Sequence, residues 1–160
     1  MKELVDFTTR DDLRYFAGTA TYRSKFDCGT RTAGERVVLS LGTVPSGLAH
    51  VFVNGNDCGT VWCAPWEADV TAAVREGANE LEIRYVNNWH NRLVGDCRLP
   101  PEERVTRSNV RYWPKPRAGD WKNSWSLRPT VYSGPSVNDP LQRSGLLGPV
   151  EVVFRAGSAR

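Results

Sequence analysis

The chain carries 21 basic and 18 acidic residues in 160, a formal net charge of +3 with the two signs interspersed, which excludes the basic stripe of a phosphate-tracking nucleic-acid surface. No apolar run approaches the roughly 18 residues needed to span a membrane, and no signal-like apolar region follows Met1. The length suits one domain, since a domain of about 150 residues already buries roughly 68–70% of the surface its unfolded chain exposes.

In chain order the expectation is strand after strand. Thr19 to Phe26 (TATYRSKF) alternates and is rich in β-branched and aromatic residues, and Gly29 to Gly34 supplies a turn. Arg36 to Leu41 (RVVLSL) is a second strand, closed by Gly42. Ala49 to Val53 (AHVFV) runs into Asn54-Gly55, the strongest short-range hairpin signal, and Cys58 to Trp62 returns as the partner strand. Ala68 to Thr71 reads as a short extended piece before one helical turn in Thr71 to Arg75, with Thr71 placed to cap it. Gly77-Ala78-Asn79 turns the chain into Glu80 to Val86 (ELEIRYV), where Leu81, Ile83 and Tyr85 face one way and Glu82 and Arg84 the other. Within Tyr85 to Asp96 (YVNNWHNRLVGD) the β-type run stops and a dense polar and aromatic loop begins. From Leu99 to Arg143 no period of either kind is sustained, and the segment is rich in Pro, Arg, Ser and Trp. Its aromatic content favours an ordered loop folded over one end of a β-sandwich. Val150 to Phe154 is the last strand. Short strands with turns between them predict an all-β sandwich or barrel.

Several motifs in order carry a resemblance: Tyr15 to Tyr22 (YFAGTATY), Val51 to Gly59 (VFVNGNDCG), Val61 to Thr71 (VWCAPWEADVT), Gly77 to Glu82 (GANELE), Asn91 to Asp96 (NRLVGD), Leu99-Pro100, Arg104, Asn109, and Ser144 to Val150 (SGLLGPV). Together they resemble the C-terminal β-sandwich of large bacterial glycoside hydrolases of the alpha-L-rhamnosidase type. The resemblance implies a galactose-binding-like jelly-roll fold, also met as the sugar-binding domain of β-glucuronidase-like enzymes. It further implies a polysaccharide or oligosaccharide ligand and a tethered catalytic domain on a separate barrel. The 1–160 chain is then one module excised from a longer secreted, periplasmic or cell-surface bacterial enzyme. No cofactor is required on this reading. The implied fold often carries a structural calcium, although no contiguous Asp-rich loop marks its ligands here. Residues Arg111 to Asp139 are longer and richer in tryptophan than the family pattern, so specificity is expected there.

Candidate ligand-binding residues follow from that expectation. A pyranose presents an apolar C–H face that stacks on indole while its hydroxyls seek polar neighbours. Trp113, Trp121 and Trp125, with Tyr112, Asp120 and Asn123 interleaved, suit such a platform, and the same indoles also suit a hydrophobic cluster holding down a long loop. Trp62 and Trp66 flank Cys63-Ala64-Pro65 where the hairpin gives out; Trp62 is expected in the core, whereas Trp66 suits core and rim equally. Trp89 and His90 begin the polar loop at a strand end, a plausible ligand rim, although a lone His more often serves as a structural hydrogen-bonding group. Arg92 and Asp96 read as a pair that rigidifies this loop.

Glycoside cleavage usually needs two carboxylates about 5 to 9.5 Å apart. Asp69, Asp96, Glu102, Glu103, Asp120 and Asp139 supply material, but nothing pairs two of them across a cleft, and no alternating strand–helix barrel is present. Cys28, Cys58, Cys63 and Cys97 lack CxxC spacing, so free thiols are the default; disulfides and a Cys58, Cys63, His90, Cys97 zinc set are the alternatives. The reading is a non-catalytic carbohydrate-binding module of a plant-polysaccharide-degrading glycoside hydrolase. A purely structural domain packed on a catalytic barrel and a stand-alone hydrolase or lyase are the alternatives.

Overall fold

In the computed structural model residues 3–104 and 135–156 are described. Among the described residues seven strands build two antiparallel sheets: β1 (Thr19–Cys28), β2 (Arg36–Ser40), β3 (Gly47–Val53), β4 (Asn56–Val61), β5 (Glu67–Asp69), β6 (Gly77–Asn87) and β7 (Glu151–Arg155). The larger sheet has the order β1-β6-β3-β4 and the smaller one β5-β2-β7. A 3-10 turn at Phe7–Thr9 and one short helix, α1 (His90–Asp96), complete the regular structure among the described residues. The β-sandwich expectation is met.

Alternation decides which side chains meet between the sheets. On β6, Leu81, Ile83 and Tyr85 are buried while Glu82 and Arg84 stand on the outer face, as their period of two requires. They pack with Ala49, Val51 and Val53 of β3 and Val37 and Leu39 of β2. Phe7 enters the same core, edge-on to Phe16 and Tyr85, and its N–H donates to Ser144 O at 2.9 Å. The N-terminal segment is thereby tied to the segment that returns before β7.

The Asn54-Gly55 hairpin forms as expected, with both residues at positive φ, 52° and 79°. Asn54 also fastens the turn to its neighbours: its amide donates to Ala73 O and Asn79 Oδ1, and its Oδ1 accepts from Glu80 N–H. The predicted cap at Thr71 is corrected. Its hydroxyl accepts the Val37 N–H at 2.9 Å, so Thr71 stitches the turn to β2 instead. Asp69 makes the local bonds, accepting from both the N–H and the hydroxyl of Thr71.

On the outer face of the small sheet, Arg36 pairs with Asp69 and Arg155 with Glu67. These one-to-one pairs surround Val38, which is only 4% exposed although it lies outside the main core. The β4/β5 side of the sandwich is closed by the short Trp62–Trp66 connection. Between the β1 and β7 edges it opens into an apolar groove of about 520 Å³ that reaches Leu39, Ile83 and Val152.

Candidate functional site

The polar run after β6 is a helix, not a loop. Asn88 begins it by accepting His90 N–H on Oδ1 at 3.0 Å. Trp89, at the N-cap position, contributes no side-chain bond. The four-residue spacing of Arg92 and Asp96, read as a loop pair, is the i,i+4 spacing of this helix. Arg92 Nε lies 3.1 Å from Asp96 Oδ1, with the Asp96 side chain 5% and the Arg92 side chain 32% exposed. The structural role expected of the pair fits this burial.

Helix α1 works as a bracket. Asn91 is buried and exchanges two hydrogen bonds with the Gln142 backbone, accepting its N–H at 2.8 Å and donating to its carbonyl at 2.7 Å. His90 Nε2 lies 3.0 Å from Pro140 O, and Asn88 donates to Gln142 Oε1 at 3.1 Å. The Cys97 thiol donates to Pro135 O at 3.0 Å and Arg104 Nε to Leu99 O at 3.0 Å. Gly95 is required here, because a Cβ would lie 2.7 Å from the Tyr15 ring. Beneath the helix, Asn87 donates to Phe16 O while the Tyr85 hydroxyl donates to Pro45 O at 2.7 Å. The residues that follow 105–134 are therefore pinned to α1, and Arg104, which precedes them, is tied to the segment just after the helix. Tyr112, Trp113, Asp120, Trp121, Asn123 and Trp125 lie outside the described residues.

The tryptophans within the described residues divide differently from the expectation. Trp62, expected in the core, is 70% exposed. The reason is alternation: Val61 pairs with Ala49 and points into the sandwich, so the next residue turns to the outer face. Trp66 is the half-buried member of the pair, packed against the core. Trp89 is 59% exposed at the head of α1. Gly47 pairs with Asn87 and Ala49 with Val61, which places Trp62 and Trp89 at the same end of the large sheet.

From that end inward, the outer face of the large sheet changes character row by row. Val86 and Leu48 are paired neighbours at the level of Trp62. The next row is Thr21, Arg84, His50 and Thr60, and the one after it Arg23, Glu82, Phe52 and Asp57. The Arg84 guanidinium sits 4.4 Å over the Phe52 ring, and the His50 ring packs on the same phenyl at 4.5 Å. Glu82 accepts from Arg84 Nε on one oxygen and from Arg23 Nε on the other, each at 2.7 Å. These bonds, Arg84 first and then Arg23, hold the Glu82 carboxyl below its usual range. Asp57 is held low by the Gly59 N–H and then by His50. A shallow depression of about 500 Å³ opens over Arg23, Phe52, Glu82 and Arg84. Sequence reasoning missed this face, although alternation along β3 and β6 contains it.

Every carboxyl group with a displaced pKa among the described residues is displaced downward: Asp6, Asp12, Asp57, Asp69, Glu82 and Asp139. A general acid for glycoside cleavage needs the opposite displacement. The four cysteines are free thiols. No three His, Cys, Asp or Glu side chains gather to hold a metal among the described residues. Cys58, Cys63, Cys97 and His90 thus form no zinc set. Among the described residues no helix is long and apolar enough to cross a membrane.

The fold agrees with the relatives of the chain. The model of a family described as glycosyl hydrolase 2 galactose-binding domain-like matches residues 4–131, and the chain belongs to that family. A putative beta-glucuronidase of Formosa agariphila is 34% identical over 150 residues, covering 89% of this chain and 12% of that protein. The solved rhamnosidase of Novosphingobium sp. PP1Y is 35% identical with a TM-score of 0.67, over 89% of this chain and 11% of the other. The chain thus spans about a ninth to an eighth of the length of these proteins. It is a galactose-binding-like β-sandwich of glycoside hydrolase relatives.

Proposed function

We propose that the chain is a non-catalytic carbohydrate-binding domain that holds a plant polysaccharide for a tethered glycoside hydrolase domain. The observation that carries this reading is the pair of exposed indoles, Trp62 and Trp89, at one end of the large sheet, beside a polar outer face. Exposed indole next to fixed donors and acceptors is what a pyranose needs, with its C–H face on the ring and its hydroxyls on polar groups. The tryptophan-rich segment, which leads into residues pinned to α1, belongs to the proposal as a second platform through Trp113, Trp121 and Trp125. His90 and Asn91 serve by holding the α1 end rigid. Tethering raises the local substrate concentration of the attached domain without any new catalytic contact. The proposal places the domain in a larger secreted, periplasmic or cell-surface bacterial enzyme.

Affinity gels and a glycan array on the 160-residue chain test the reading, with Trp62→Ala and Trp89→Ala alongside. Retardation by at least one plant glycan that weakens in a tryptophan variant of unchanged melting temperature supports it. Absence of binding across pectic, xylan and β-glucan polymers overturns it. The apolar groove between the β1 and β7 edges favours the second reading, a domain that packs on the rest of a large enzyme and binds no glycan. Assays on aryl glycosides should give background only. Turnover abolished by replacing a single Asp or Glu would move the hydrolase reading to first place.

A further inference from the structure

One carboxylate on the outer face of the large sheet serves two guanidinium groups. Glu82 engages Arg84 and Arg23 through their Nε atoms, one on each oxygen, at 2.7 Å. The Nη groups of both arginines have no hydrogen-bond partner among the described residues, so the planar forks are fixed at one corner and open at the other. Arg84 is held further by stacking on Phe52.

Among the residues lining the depression, Arg23, Lys25 and Arg84 face Glu80 and Glu82. Lys25 faces Glu80 at 3.8 Å, while Asp57 accepts from Gly59 N–H, lies 2.8 Å from His50 Nε2 and also attracts Arg84 through space. Within the Arg23, Glu82, Arg84 group two positive charges meet one negative. Both arginines line the shallow depression described above with their Nη donors unspent, and a guanidinium fork suits a planar or tetrahedral oxyanion.

We propose that Arg23 and Arg84, held by Glu82, read an anionic substituent on the glycan, a uronic acid carboxylate or a sulfate ester. This rests on the carbohydrate reading above and adds a second contact and a ligand charge to it. Arg84 lies two strands across and two residues along from Trp62, which is about 12 Å at usual sheet spacings. An oligosaccharide spans that distance and a monosaccharide does not. One sugar then stacks on Trp62 while the acidic group of another sits in the arginine fork.

The test compares polygalacturonate with its fully methyl-esterified form, and dextran sulfate with dextran, by titration of the parent chain and two variants. The parent should bind polygalacturonate or dextran sulfate about tenfold more tightly than its neutral counterpart, and the pair showing the preference identifies carboxylate or sulfate as the group read. In Arg23→Gln/Arg84→Gln this ratio should fall to near one. Glu82→Gln should raise it severalfold, because the competing carboxylate charge is gone while the amide oxygen still accepts from one guanidinium; no rise would overturn the placement of the anion at this fork. Melting temperatures of all three proteins confirm that the fold is kept. Equal binding of charged and neutral forms, or a preference untouched by the double arginine variant, overturns the inference and leaves the carbohydrate reading standing. Absence of binding to neutral and charged glycans alike removes both.

Discussion

The α1 end and the outer face of the large sheet are both dense in polar side chains, yet they use them in opposite ways. At α1 the polar groups turn inward: Asn87, Asn91 and Asp96 are buried and spend their hydrogen bonds on the chain itself. On the sheet face, Arg23, Arg84 and Asp57 stay accessible to solvent. The difference teaches that a crowded polar motif reports how demanding the local backbone geometry is. Buried backbone groups must be paired, and side chains that pair them cannot also serve a ligand. The proposed binding surface lies instead where ordinary strand alternation leaves a regular row of groups facing water.

The largest expected effect tests the inward half of that comparison. Asn91→Ala leaves the Gln142 N–H and carbonyl without the two side-chain partners that hold them at 2.8 and 2.7 Å. Gln142 itself is exposed, so water meets part of the loss, but the buried Asn91 side chain is removed as well; at about 1–3 kcal/mol for an unmet buried polar group the variant should lose about 2–3 kcal/mol and melt roughly 4–12 °C lower. Thermal unfolding checks this. Glycan affinity measured well below the melting point should be unchanged, and a variant that keeps its melting temperature but loses binding would break the contrast between the two regions.

Asp96→Ala acts on the same bracket more mildly. Breaking a buried ion pair costs about 3–5 kcal/mol when both groups are fully buried. Here the Arg92 side chain retains 32% exposure, so water relieves part of its charge. A loss of about 2 kcal/mol in denaturant midpoint experiments is expected, with Asp96→Asn, which keeps the acceptor oxygen, falling between this variant and the parent. A stable Asp96→Ala protein that had lost only glycan binding would move the site to α1.

Trp62→Ala addresses the outward half. A residue 70% exposed supports little of the fold, so stability should stay within about 0.5 kcal/mol of the parent. Truncating a true platform indole should weaken glycan binding by about 2 kcal/mol. A stability loss of about 3–5 kcal/mol would show instead that Trp62 is a packing residue.

Which parts of this picture are legible from residues alone follows from the range of the forces involved. The Asn54-Gly55 hairpin and the two faces of β6 are local consequences of φ > 0 and of a period of two, and both form where expected. Helix α1 escapes because it is seven residues long, too short for a helical period to stand out, and its N-cap residue Trp89 offers no capping oxygen. The bracket was hidden because its partners are remote: Asn91 meets Gln142 and Asn87 meets Phe16. Trp62 was legible in principle. Val61 ends the register facing inward, and one further step along the strand turns the indole out.

The smallest effect separates two uses of the same arginine–carboxylate chemistry. On the small sheet each acid has one arginine, and Asp69 is pulled down to about 2, first by the Thr71 hydroxyl and N–H and then by Arg36. Its folded pKa lies below the usual carboxylate value of about 3.9, so its contribution is fully present above about pH 4 and is lost as the pH falls toward 2. The shift alone would suggest more than 2 kcal/mol, but the side chain is 46% exposed, and solvent screening reduces the expectation to about 1 kcal/mol. Melting temperature followed from pH 5 to 2 should therefore fall less steeply in Asp69→Asn than in the parent, with the difference confined to the region below pH 4. Parallel acid profiles would mean that these bonds are compensated in the unfolded chain. On the large sheet the ratio is two guanidiniums to one carboxylate, and Glu82 leaves donors unspent. One-to-one pairing flanks Val38 on the small sheet, whereas the two-to-one arrangement leaves donors on the large sheet for the proposed ligand.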